Sequence, residues 1–505
     1  MAKRATSFEL ALPPKDSAAP AYRWLYASLR AAILEGRLHP AARLPATRDL
    51  ATQYGLSRGT IVNAVEQLKS EGYVQARMGS GTYVSNTLPD ELLQVRNSAT
   101  PSLALKPQRH GPRKISAYAK RVHLFPNFAP HPTRAFRSNL PALDLFPTTL
   151  WAQVAARRLR KVSTNFLLGC DPLGYLPLRD AVADYLSSSR GVNCVAAQVA
   201  IVSGAQDALD LVARLFLNPG DCVCMENPGY IGATAVFQSL GAKISYVPLD
   251  DEGMQLREAT LRHARLVYVT PGHQFPLGIT MSLPRRLQLL ESARKSGALI
   301  LEDDYDSEFR YAGRPVPALQ GLDRHGLVLF TGSFSKVLFP SLRLGYLVLP
   351  HDLVDRFSDT LSITRRHAPL LEQAILSDFI TAGHFGRHLR RMRQIYAERL
   401  SVLLQSARQN LAGLLEISGV EAGLQTVGWL RRDMDGESAA AAAAKLNVEV
   451  IPLSAYSHGN AASTGLQLGF AAVDAKEIRR GVQDLAIALE AARKAPHSRF
   501  HLTSP

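Results

Sequence analysis

The sequence predicts a multidomain protein with a small N-terminal α+β domain, a linker, and a large α/β domain with a mainly parallel sheet. A chain of 505 residues is too long for one compact core. Residues 21–85 hold three helical patterns and then two strand patterns, whereas strands and helices alternate after the linker. We therefore expect domains at residues 1–86 and 125–495, joined by residues 87–124.

The excess positive charge is concentrated near the N-terminus. The formal net charge is +15, and residues 1–124 carry 10 of those charges. A basic segment attracts phosphate backbones by releasing counterions, although on charge alone a solvated basic face is an equal alternative. The 4 cysteines lack zinc-binding spacing, and the sequence shows no signal peptide or membrane-spanning stretch. We therefore expect a reduced, cytoplasmic protein that does not bind a membrane.

The small domain is predicted to be a helix-turn-helix followed by a strand hairpin, the wing. Thr47 is expected to cap the second helix and Gly55 to end it. Ser57 is expected to cap the third helix. The predicted elements are helices at 21–34, 47–54 and 58–70, and strands at 73–76 and 82–85.

The start of the third helix is the predicted surface for reading DNA, because that end enters the major groove in helix-turn-helix proteins. Arg58 can reach a guanine edge or a phosphate, and Gly59 allows close approach of the backbone. Arg48 is placed to contact phosphate, while Arg77 at the wing tip suits a narrow groove. The predicted DNA-contacting residues are Arg48, Ser57, Arg58, Gly59, Thr60, Arg77 and Gly79.

Residues 20–85 resemble the GntR family of winged-helix regulators. The resemblance implies double-stranded DNA as a partner, with two half-sites read by two heads. It is carried by Leu44-Pro45, Arg48, Leu50-Ala51, Gly55, Ser57-Arg58, Thr60, Leu68, Glu71-Gly72-Tyr73 and Gly79-Ser80-Gly81-Thr82.

Two different regions follow this domain. Residues 87–124 contain several prolines and frequent Lys and Arg, which predicts an extended, solvated linker. Beyond it, apolar strands alternate with helices, which implies a mainly parallel sheet covered on both faces. The predicted strands are 199–202, 222–225, 264–269, 298–301 and 327–330, and a helix is expected at 205–217.

Lys336 is the first candidate for chemistry in the large domain. It lies between apolar segments, in a stretch with no other charge. A lone lysine in such surroundings is costly unless it forms a covalent bond or shifts its pKa. This pattern is typical of a lysine that bonds the aldehyde of pyridoxal 5′-phosphate (PLP), which also needs an acid at its pyridine nitrogen, a stacking ring and a phosphate cradle.

Asp303 is the candidate partner of the pyridine nitrogen. Strand alternation puts Asp303 and Tyr305 on one face, so both can point into one pocket, with Tyr305 at the phenolic oxygen. Glu302 and Asp304 fall on the other face, where an acidic strand end facing water is expected. Asp304 is kept as the second candidate.

A phosphate cradle is predicted where a strand meets a helix N-terminus, because free N–H groups and the helix dipole bind anions there. Two serine hydroxyls and an arginine fork complete it. Tyr230 is the candidate stacking ring, with a turn aromatic as the alternative. The predicted cradle residues are Gly204, Ala205, Gln206, Ser333, Ser335 and Arg343.

Residues 125–489 resemble fold-type I aminotransferases, which bind PLP. The resemblance rests on Ser-x-Ser-Lys ending at Lys336, on Arg343-Leu-Gly-Tyr346 and on the Pro-rich loop at residues 270–278. Together with the winged helix, the chain resembles the MocR subfamily of GntR regulators. This implies a domain-swapped, head-to-tail homodimer with each PLP site near the subunit interface.

The chain departs from the aminotransferase pattern at two places. Gln467 stands where the family usually carries an arginine that holds the substrate carboxylate, and Gln brings no charge. Gly169-Cys170 stands where the family often has a tyrosine that reaches the neighbouring phosphate. Both departures argue against efficient transamination of ordinary amino acids and leave PLP binding intact.

Three functions are compatible with these residues. The favoured one is a transcriptional regulator that senses PLP or its adduct with an amine or amino acid. The second is an active aminotransferase with an accessory DNA-binding domain, which Gln467 disfavours. The third uses the large domain only as a dimerisation scaffold, which the joint presence of Lys336, Asp303 and Arg343 disfavours.

Overall fold

The computed structural model divides the chain into two compact units, Met1–Arg113 and Lys114–Pro505. The division falls inside the predicted linker, and the domain boundaries drawn from the sequence stay a prediction. Among the described residues, none of the helices combines the length and the apolar character needed to span a membrane. The described residues are 10, 12–13, 20–77, 80–89, 113–123, 132–257, 259–312, 316–417, 420–459 and 464–494.

The first unit is a three-helix bundle with a hairpin. Helices α1 and α3 pack together and bury apolar residues such as Leu29 and Ile61 completely, as helical spacing requires. The hairpin strands are antiparallel, with Val74 opposite Val84 and Arg77 opposite Gly81. The elements are α1 Ala21–Leu34, α2 Thr47–Tyr54, α3 Arg58–Ser70, β1 Val74–Arg77 and β2 Gly81–Val84.

Helix ends in this unit follow the sequence prediction with one correction. The Ser57 hydroxyl accepts a hydrogen bond from the Thr60 N–H at 3.1 Å, so Ser57 caps α3 as predicted. Gly55 ends α2 in the left-handed conformation. The prediction that Thr47 caps α2 is wrong, because Thr47 is already helical and the capping position belongs to Ala46, which has no side-chain acceptor.

The linker is not extended throughout. Residues 117–121 form helix α4, Ala117–Arg121, in the second unit. The Ser116 hydroxyl caps it by accepting from the Ala119 N–H at 3.1 Å, and the Arg121 Nε donates to the Ser239 carbonyl at 2.9 Å. The expectation of an extended chain is therefore wrong for this part, because a cap and a tertiary hydrogen bond stabilise a short helix, although residues 117–120 are exposed as a solvated linker would be.

The second unit is built on an eight-stranded sheet of order β3-β10-β9-β8-β7-β4-β5-β6. Strands β4, β5, β7, β8 and β9 pair in parallel, while β10 is antiparallel to β3 and β9, and β6 to β5. The mainly parallel sheet predicted from the sequence is confirmed. The strands are β3 Val199–Val202, β4 Cys222–Asn227, β5 Lys243–Asp250, β6 Gly253–Met254, β7 Ala264–Val269, β8 Leu299–Asp304, β9 Val328–Ser333 and β10 Gly345–Val348.

A smaller antiparallel sheet, of order β11-β12-β14-β13, and helices complete this unit. Adjacent residues of β9 belong to different apolar clusters, Leu329 in one and Phe330 in another, so the large sheet is covered on both faces. The small sheet contains β11 Leu415–Ile417, β12 Gln425–Leu430, β13 Ile451–Pro452 and β14 Gly465–Gly469. The helices are α5 Thr148–Leu159, α6 Thr164–Leu167, α7 Leu176–Arg190, α8 Ala205–Phe216, α9 Ile231–Ser239, α10 Leu283–Ser296, α11 Leu319–Leu322, α12 Phe334–Val337, α13 Val354–Thr364, α14 Leu370–Thr381, α15 His384–Asn410, α16 Gly436–Lys445 and α17 Ala475–Lys494.

Strand β8 continues past its predicted end and carries three buried carboxylates. Glu302 accepts from the N–H groups of Leu319 and Gln320, each at 2.8 Å, and Asp304 accepts from the Arg190 Nε at 2.7 Å. The expectation that Glu302 and Asp304 face water is therefore wrong, because each has a buried partner from a distant part of the chain.

Candidate functional sites

A cavity of about 410 Å³ lies where the parallel strands of the large sheet end. Strands β4, β7, β8 and β9 lead into its wall, which is where ligands bind in open α/β sheets. The wall contains every predicted cofactor residue except Gly204, which begins helix α8 beside it. The lining residues are Arg137, Ser138, Asn139, Ala205, Gln206, Tyr230, Ile231, Tyr268, Thr270, Phe275, Asp303, Tyr305, Ser333, Ser335, Lys336, Arg343, Glu449, Ile451, Ala455 and Tyr456.

Lys336 presents its amine to this cavity from the short helix α12. Its Nζ donates to the carbonyl of Asn139 at 2.7 Å. Burial lowers the pKa of the amine from its usual 10.5 to about 8, although the carboxylates of Asp306 and Asp303 oppose that shift. A lysine in this setting spends an appreciable fraction of time neutral near neutral pH, which is the form that attacks a carbonyl.

Of the two candidate partners of the pyridine nitrogen, Asp303 lines the cavity and Asp304 does not. The Tyr268 hydroxyl donates to Asp303 Oδ2 at 2.7 Å, while Oδ1 is buried with no hydrogen-bond partner among the described residues. Burial raises the pKa of Asp303 to about 6. A buried acceptor without a partner suits a ligand that brings an N–H group and a positive charge.

The predicted phosphate cradle is gathered at one end of the cavity. Gly204 has φ of +98°, so helix α8 can start abruptly and leave its first N–H groups free. A Cβ at Gly204 would lie 3.6 Å from the Arg343 guanidinium, which shows that this cation stands over the helix start. Ser333 and Ser335 line the same cavity. A helix N-terminus with an arginine and two hydroxyls has the chemistry of a phosphate site.

Aromatic rings form one wall of the cavity. The Tyr230 hydroxyl accepts from the Gln206 amide at 2.9 Å, which ties the ring to the start of α8. The ring of Phe275 lies edge-on to Tyr230, Tyr305 and Tyr456, with centroids 5.1–5.8 Å away. Tyr230 is thus held at the cavity surface, as a stacking ring would have to be.

Tyr305 is backed by a buried histidine and a second carboxylate. The Tyr305 hydroxyl lies 3.1 Å from His273 Nδ1, which in turn lies 2.9 Å from Asp306 Oδ1. The other oxygen of Asp306 accepts from the Leu424 N–H at 3.2 Å. Burial keeps the pKa of Tyr305 well above its usual range, so the phenol is protonated and can donate.

The far end of the cavity contains residues that the sequence analysis did not select. Arg137 and Asn139 come from the loop before α5, and Glu449 and Tyr456 from around β13. Arg137 Nε lies 3.9 Å from Glu449 Oε1. No motif joins these segments, which lie far apart in sequence, so no local signal could have found them. Gln467, selected as a departure, is completely buried and accepts from the Tyr456 hydroxyl at 2.8 Å.

The residues present fit PLP. Lys336 supplies a buried amine, Asp303 an unpartnered carboxylate oxygen, and the start of α8 with Arg343 an anion cradle. PLP bound there would supply an aldehyde carbon and an electron-withdrawing ring for amine chemistry. Lys336 would hold it covalently, and Asp303 would keep a proton at its ring nitrogen.

The start of α3 in the first unit is exposed, as a DNA-reading surface must be. Arg48, Arg58 and Gly59 are exposed, whereas the hydroxyls of Ser57 and Thr60 lie 2.8 Å apart at the helix start. These two hydroxyls therefore also stabilise the helix end. Sequence analysis missed the exposed Arg43, whose Nε lies 3.0 Å from where a Cβ on Gly81 would stand.

The wing supplies one described arginine. The Arg77 guanidinium lies 4.8 Å from the centroid of the Tyr83 ring, at the end of β1. This contact orients the side chain by a cation–π interaction. Gly79 lies outside the described residues.

Comparison with known proteins agrees with both halves of the chain. Residues 137–485 match the family of aminotransferases of class I and II, and residues 21–84 match the gntR family of bacterial regulatory proteins. The fold of the second unit resembles that of the α-aminoadipate aminotransferase LysN of Thermus thermophilus, solved with N-(5′-phosphopyridoxyl)-L-leucine. That match has a TM-score of 0.65 and 30% identity, over 71% of this chain and 92% of LysN.

Relatives with both halves are named as regulators. The chain is 41% identical to the probable rhizopine catabolism regulatory protein MocR of Rhizobium meliloti, over 96% of this chain and 97% of the relative. It is 29% identical to the pyridoxine biosynthesis transcriptional regulator PdxR of Corynebacterium glutamicum, over 89% of this chain and 92% of that relative. Fold and cavity thus define a DNA-binding transcriptional regulator with an aminotransferase-like domain that takes PLP. The chain belongs to the MocR subfamily of the GntR regulators.

Proposed function

We propose that this regulator changes its affinity for DNA when PLP, or an adduct of PLP with a small amine or amino acid, is held at Lys336. The observation that carries the proposal is the cavity of the second unit. It combines a buried amine of lowered pKa, an unpartnered carboxylate oxygen and a helix N-terminus with a cation. A scaffold that served only for dimerisation would have no need of such costly buried groups.

The proposed cofactor contacts follow the geometry. Lys336 bonds the cofactor, Asp303 holds the pyridine nitrogen, and Tyr305 donates to the phenolic oxygen. Tyr230 stacks on the ring. The phosphate is assigned to Gly204, Ala205, Gln206, Ser333, Ser335 and Arg343.

The proposed DNA contacts belong to the first unit, where Arg48, Arg58, Gly59 and Arg77 are exposed. Arg58 and Gly59 read the major groove from the start of α3, and Arg48 contacts phosphate. Arg77 enters the narrow groove beside the wing. The hydroxyls of Ser57 and Thr60 and the backbone of Gly79 complete the proposed set.

The protein is proposed to act as a homodimer in the cytoplasm. Aminotransferase folds are usually dimeric, and two heads are needed to read an operator of two half-sites. A domain-swapped, head-to-tail arrangement would place each PLP site near the subunit interface. The names of the two regulators compared above refer to pyridoxine biosynthesis and to rhizopine catabolism, so they leave the signal open between PLP itself and an adduct.

The test joins a spectrum to a DNA-binding measurement. The full-length protein is loaded with PLP, and its visible absorption is recorded before and after borohydride, beside Lys336→Ala. Duplexes selected by the same protein from a random-sequence library then serve to measure DNA affinity with and without PLP. We expect a visible band that borohydride bleaches and Lys336→Ala lacks, and a DNA affinity that depends on PLP only in the wild type.

Two results would overturn the proposal. One is the absence of a visible band after PLP is added, which would leave a regulator on an aminotransferase-shaped scaffold. The other is rapid turnover of amino acids with keto acids together with a DNA affinity that ignores PLP. That result would favour an aminotransferase with an accessory DNA-binding domain.

A further inference from the structure

The far end of the cavity begins at the lysine amine. The Lys336 Nζ donates to the carbonyl of Asn139 at 2.7 Å, so the segment 137–139 lies directly beside the reactive nitrogen. Glu449 and Tyr456 line the same cavity. A molecule that replaced Lys336 on PLP would therefore place its remaining groups among these side chains.

Among the described residues that line this end, each cation already has a charged neighbour or another role. Among the described lining residues the cations are Arg137, Lys336 and Arg343. Arg343 stands over the helix start at Gly204, and Lys336 is the reacting amine. Arg137 has Glu449 at 3.9 Å, so a carboxylate that approached Arg137 would also meet a negative charge.

The neutral groups at this end are set to accept hydrogen bonds. The Tyr456 hydroxyl uses its hydrogen to donate to Gln467 Oε1 at 2.8 Å, so towards the cavity its oxygen can only accept. Gln467 is completely buried, and its Oε1 is the acceptor that the Tyr456 hydroxyl meets. The Glu449 carboxylate is also an acceptor. Groups that accept hydrogen bonds recognise ligands that donate them.

Hydroxyl groups satisfy these conditions better than a second ammonium. A hydroxyl can donate to Tyr456 or Glu449 without adding charge. A second ammonium would be attracted by Glu449 but repelled by Arg137, which stands 3.9 Å from that carboxylate. The balance of charge at this end thus favours a neutral, hydrogen-bond-donating substituent.

We propose that the effector is a hydroxylated primary amine without a carboxylate, recognised by Glu449 and Tyr456. The inference rests on the proposed function, since it names the molecule that binds at Lys336. In the exchange, a C=N bond forms between the effector nitrogen and the aldehyde carbon of PLP, and the C=N bond to Lys336 breaks. Two hydrogens pass from the effector amine to Lys336, and no redox change occurs.

The test uses two amines that differ in one group. Serinol and serine share an aminoethanol core, and serinol carries a hydroxymethyl group where serine carries a carboxylate. The PLP-loaded, full-length protein is titrated with each amine, and the shift of the visible band gives an apparent Kd. We expect serinol to bind at least about tenfold more tightly than serine, because serine brings its charge to Glu449. Ethylenediamine should bind more weakly than serinol.

Two variants test the residues themselves. Glu449→Gln should reduce the preference for serinol over serine, and Gln467→Arg should reverse it by supplying a cation. Glu416→Gln, a matched change at an exposed residue of β11, should leave the preference unchanged. The band before any amine is added shows whether each variant folds and holds PLP.

The outcomes separate this inference from the proposed function. Serine binding as tightly as serinol, ethylenediamine binding more tightly, or an unchanged preference in Glu449→Gln would each overturn the inference. If no amine shifts the band while PLP alone changes DNA affinity, the amine effector is wrong and the PLP-sensing function stands. If the protein shows no band at all, the proposed function itself fails.

Discussion

The buried amine of Lys336 sets the pH at which the apoprotein captures PLP. Because burial lowers its pKa to about 8, protonation blocks attack below that pH and ceases to do so above it. We expect the rate of PLP capture to rise about tenfold per pH unit below pH 8 and to level off above it. Stopped-flow absorbance of the apoprotein mixed with PLP between pH 6 and 9.5 measures this rate. If Lys336 had the usual pKa of a lysine, the rate of PLP capture would still be rising at pH 9.5.

His273 determines whether the Tyr305 hydroxyl can donate its hydrogen bond to a ligand in the cavity. Asp306 Oδ2 accepts from the Leu424 N–H, and an ionised carboxylate can only accept, so we assign the proton of His273 to Nδ1, which lies within reach of Asp306 Oδ1 and the Tyr305 oxygen. The hydrogen of Tyr305 is then free for the cavity. His273→Leu should raise the pH midpoint of the visible band by about one unit, because the phenolic oxygen of bound PLP loses its donor.

A conservative variant separates positioning from packing. His273→Asn keeps an N–H near the position of Nδ1 and should restore the midpoint of the wild type. Tyr305→Phe should reproduce the shift of His273→Leu. If all three variants titrate like the wild type, Tyr305 does not act through His273.

Single site residues were predictable where a charged side chain stood in an otherwise apolar segment. A lysine without charged neighbours and an aspartate on the apolar face of a strand indicated Lys336 and Asp303 from the sequence alone. Arg137 and Glu449 gave no such signal, and the Pro-rich loop at residues 270–278 did not single out His273. Their roles come from contacts between segments that only the tertiary fold brings together.

At the scale of elements, helix α3 carries the sharpest prediction. Arg58 is exposed in its first turn, so its truncation removes a contact without disturbing the core. We expect Arg58→Ala to weaken binding to the selected duplex by about 1–3 kcal/mol and to leave the visible PLP band unchanged. Fluorescence anisotropy of the labelled duplex measures the affinity.

The matched control is Arg23→Ala, which removes an exposed arginine on α1 and should bind DNA like the wild type. If both variants weakened DNA binding equally, the assignment of Arg58 to the DNA contact would be wrong.

The cap of the same helix predicts a change of stability. The Ser57 hydroxyl satisfies the Thr60 N–H at 3.1 Å, and alanine cannot replace that acceptor. Ser57→Ala should lower the free energy of unfolding of the first unit by about 1 kcal/mol. Denaturant unfolding of the full chain, followed by far-UV circular dichroism, measures the change. A transition identical to that of the wild type would show that water replaces the cap at no cost.

The bounds of helices and strands were predictable where the pattern of apolar residues and the flanking residues indicated the same boundary. Strand β7 and helix α2 have the predicted bounds, because apolar runs and a terminal glycine mark them locally. For strand β8 the sequence predicts an end at Leu301, because three acidic residues in a row usually mark a strand end. Its true end at Asp304 depends on Arg190 and on the N–H groups of α11, which local sequence does not reveal.

At the scale of the whole molecule, the described part of the linker contacts the helix that leaves the cavity. Helix α9 starts at Ile231, next to the cavity residue Tyr230, and ends at Ser239. The Ser239 carbonyl accepts from Arg121 Nε of α4 at 2.9 Å. The linker helix is thus hydrogen-bonded to the same element whose other end lines the cavity, and α4 precedes the rest of the second unit in the chain.

This contact should carry part of the coupling between PLP and DNA. A ligand shifts an equilibrium only through contacts that differ between the two states, and we expect the contacts at the two ends of α9 to differ in this way. Arg121→Ala should therefore leave the PLP spectrum unchanged and reduce the effect of PLP on DNA affinity by an amount on the order of 0.5–2 kcal/mol. Lys120→Ala, an exposed neighbour on α4, should keep the full effect. If the effect of PLP on DNA affinity were undiminished in Arg121→Ala, the coupling would not depend on the contact between α4 and α9.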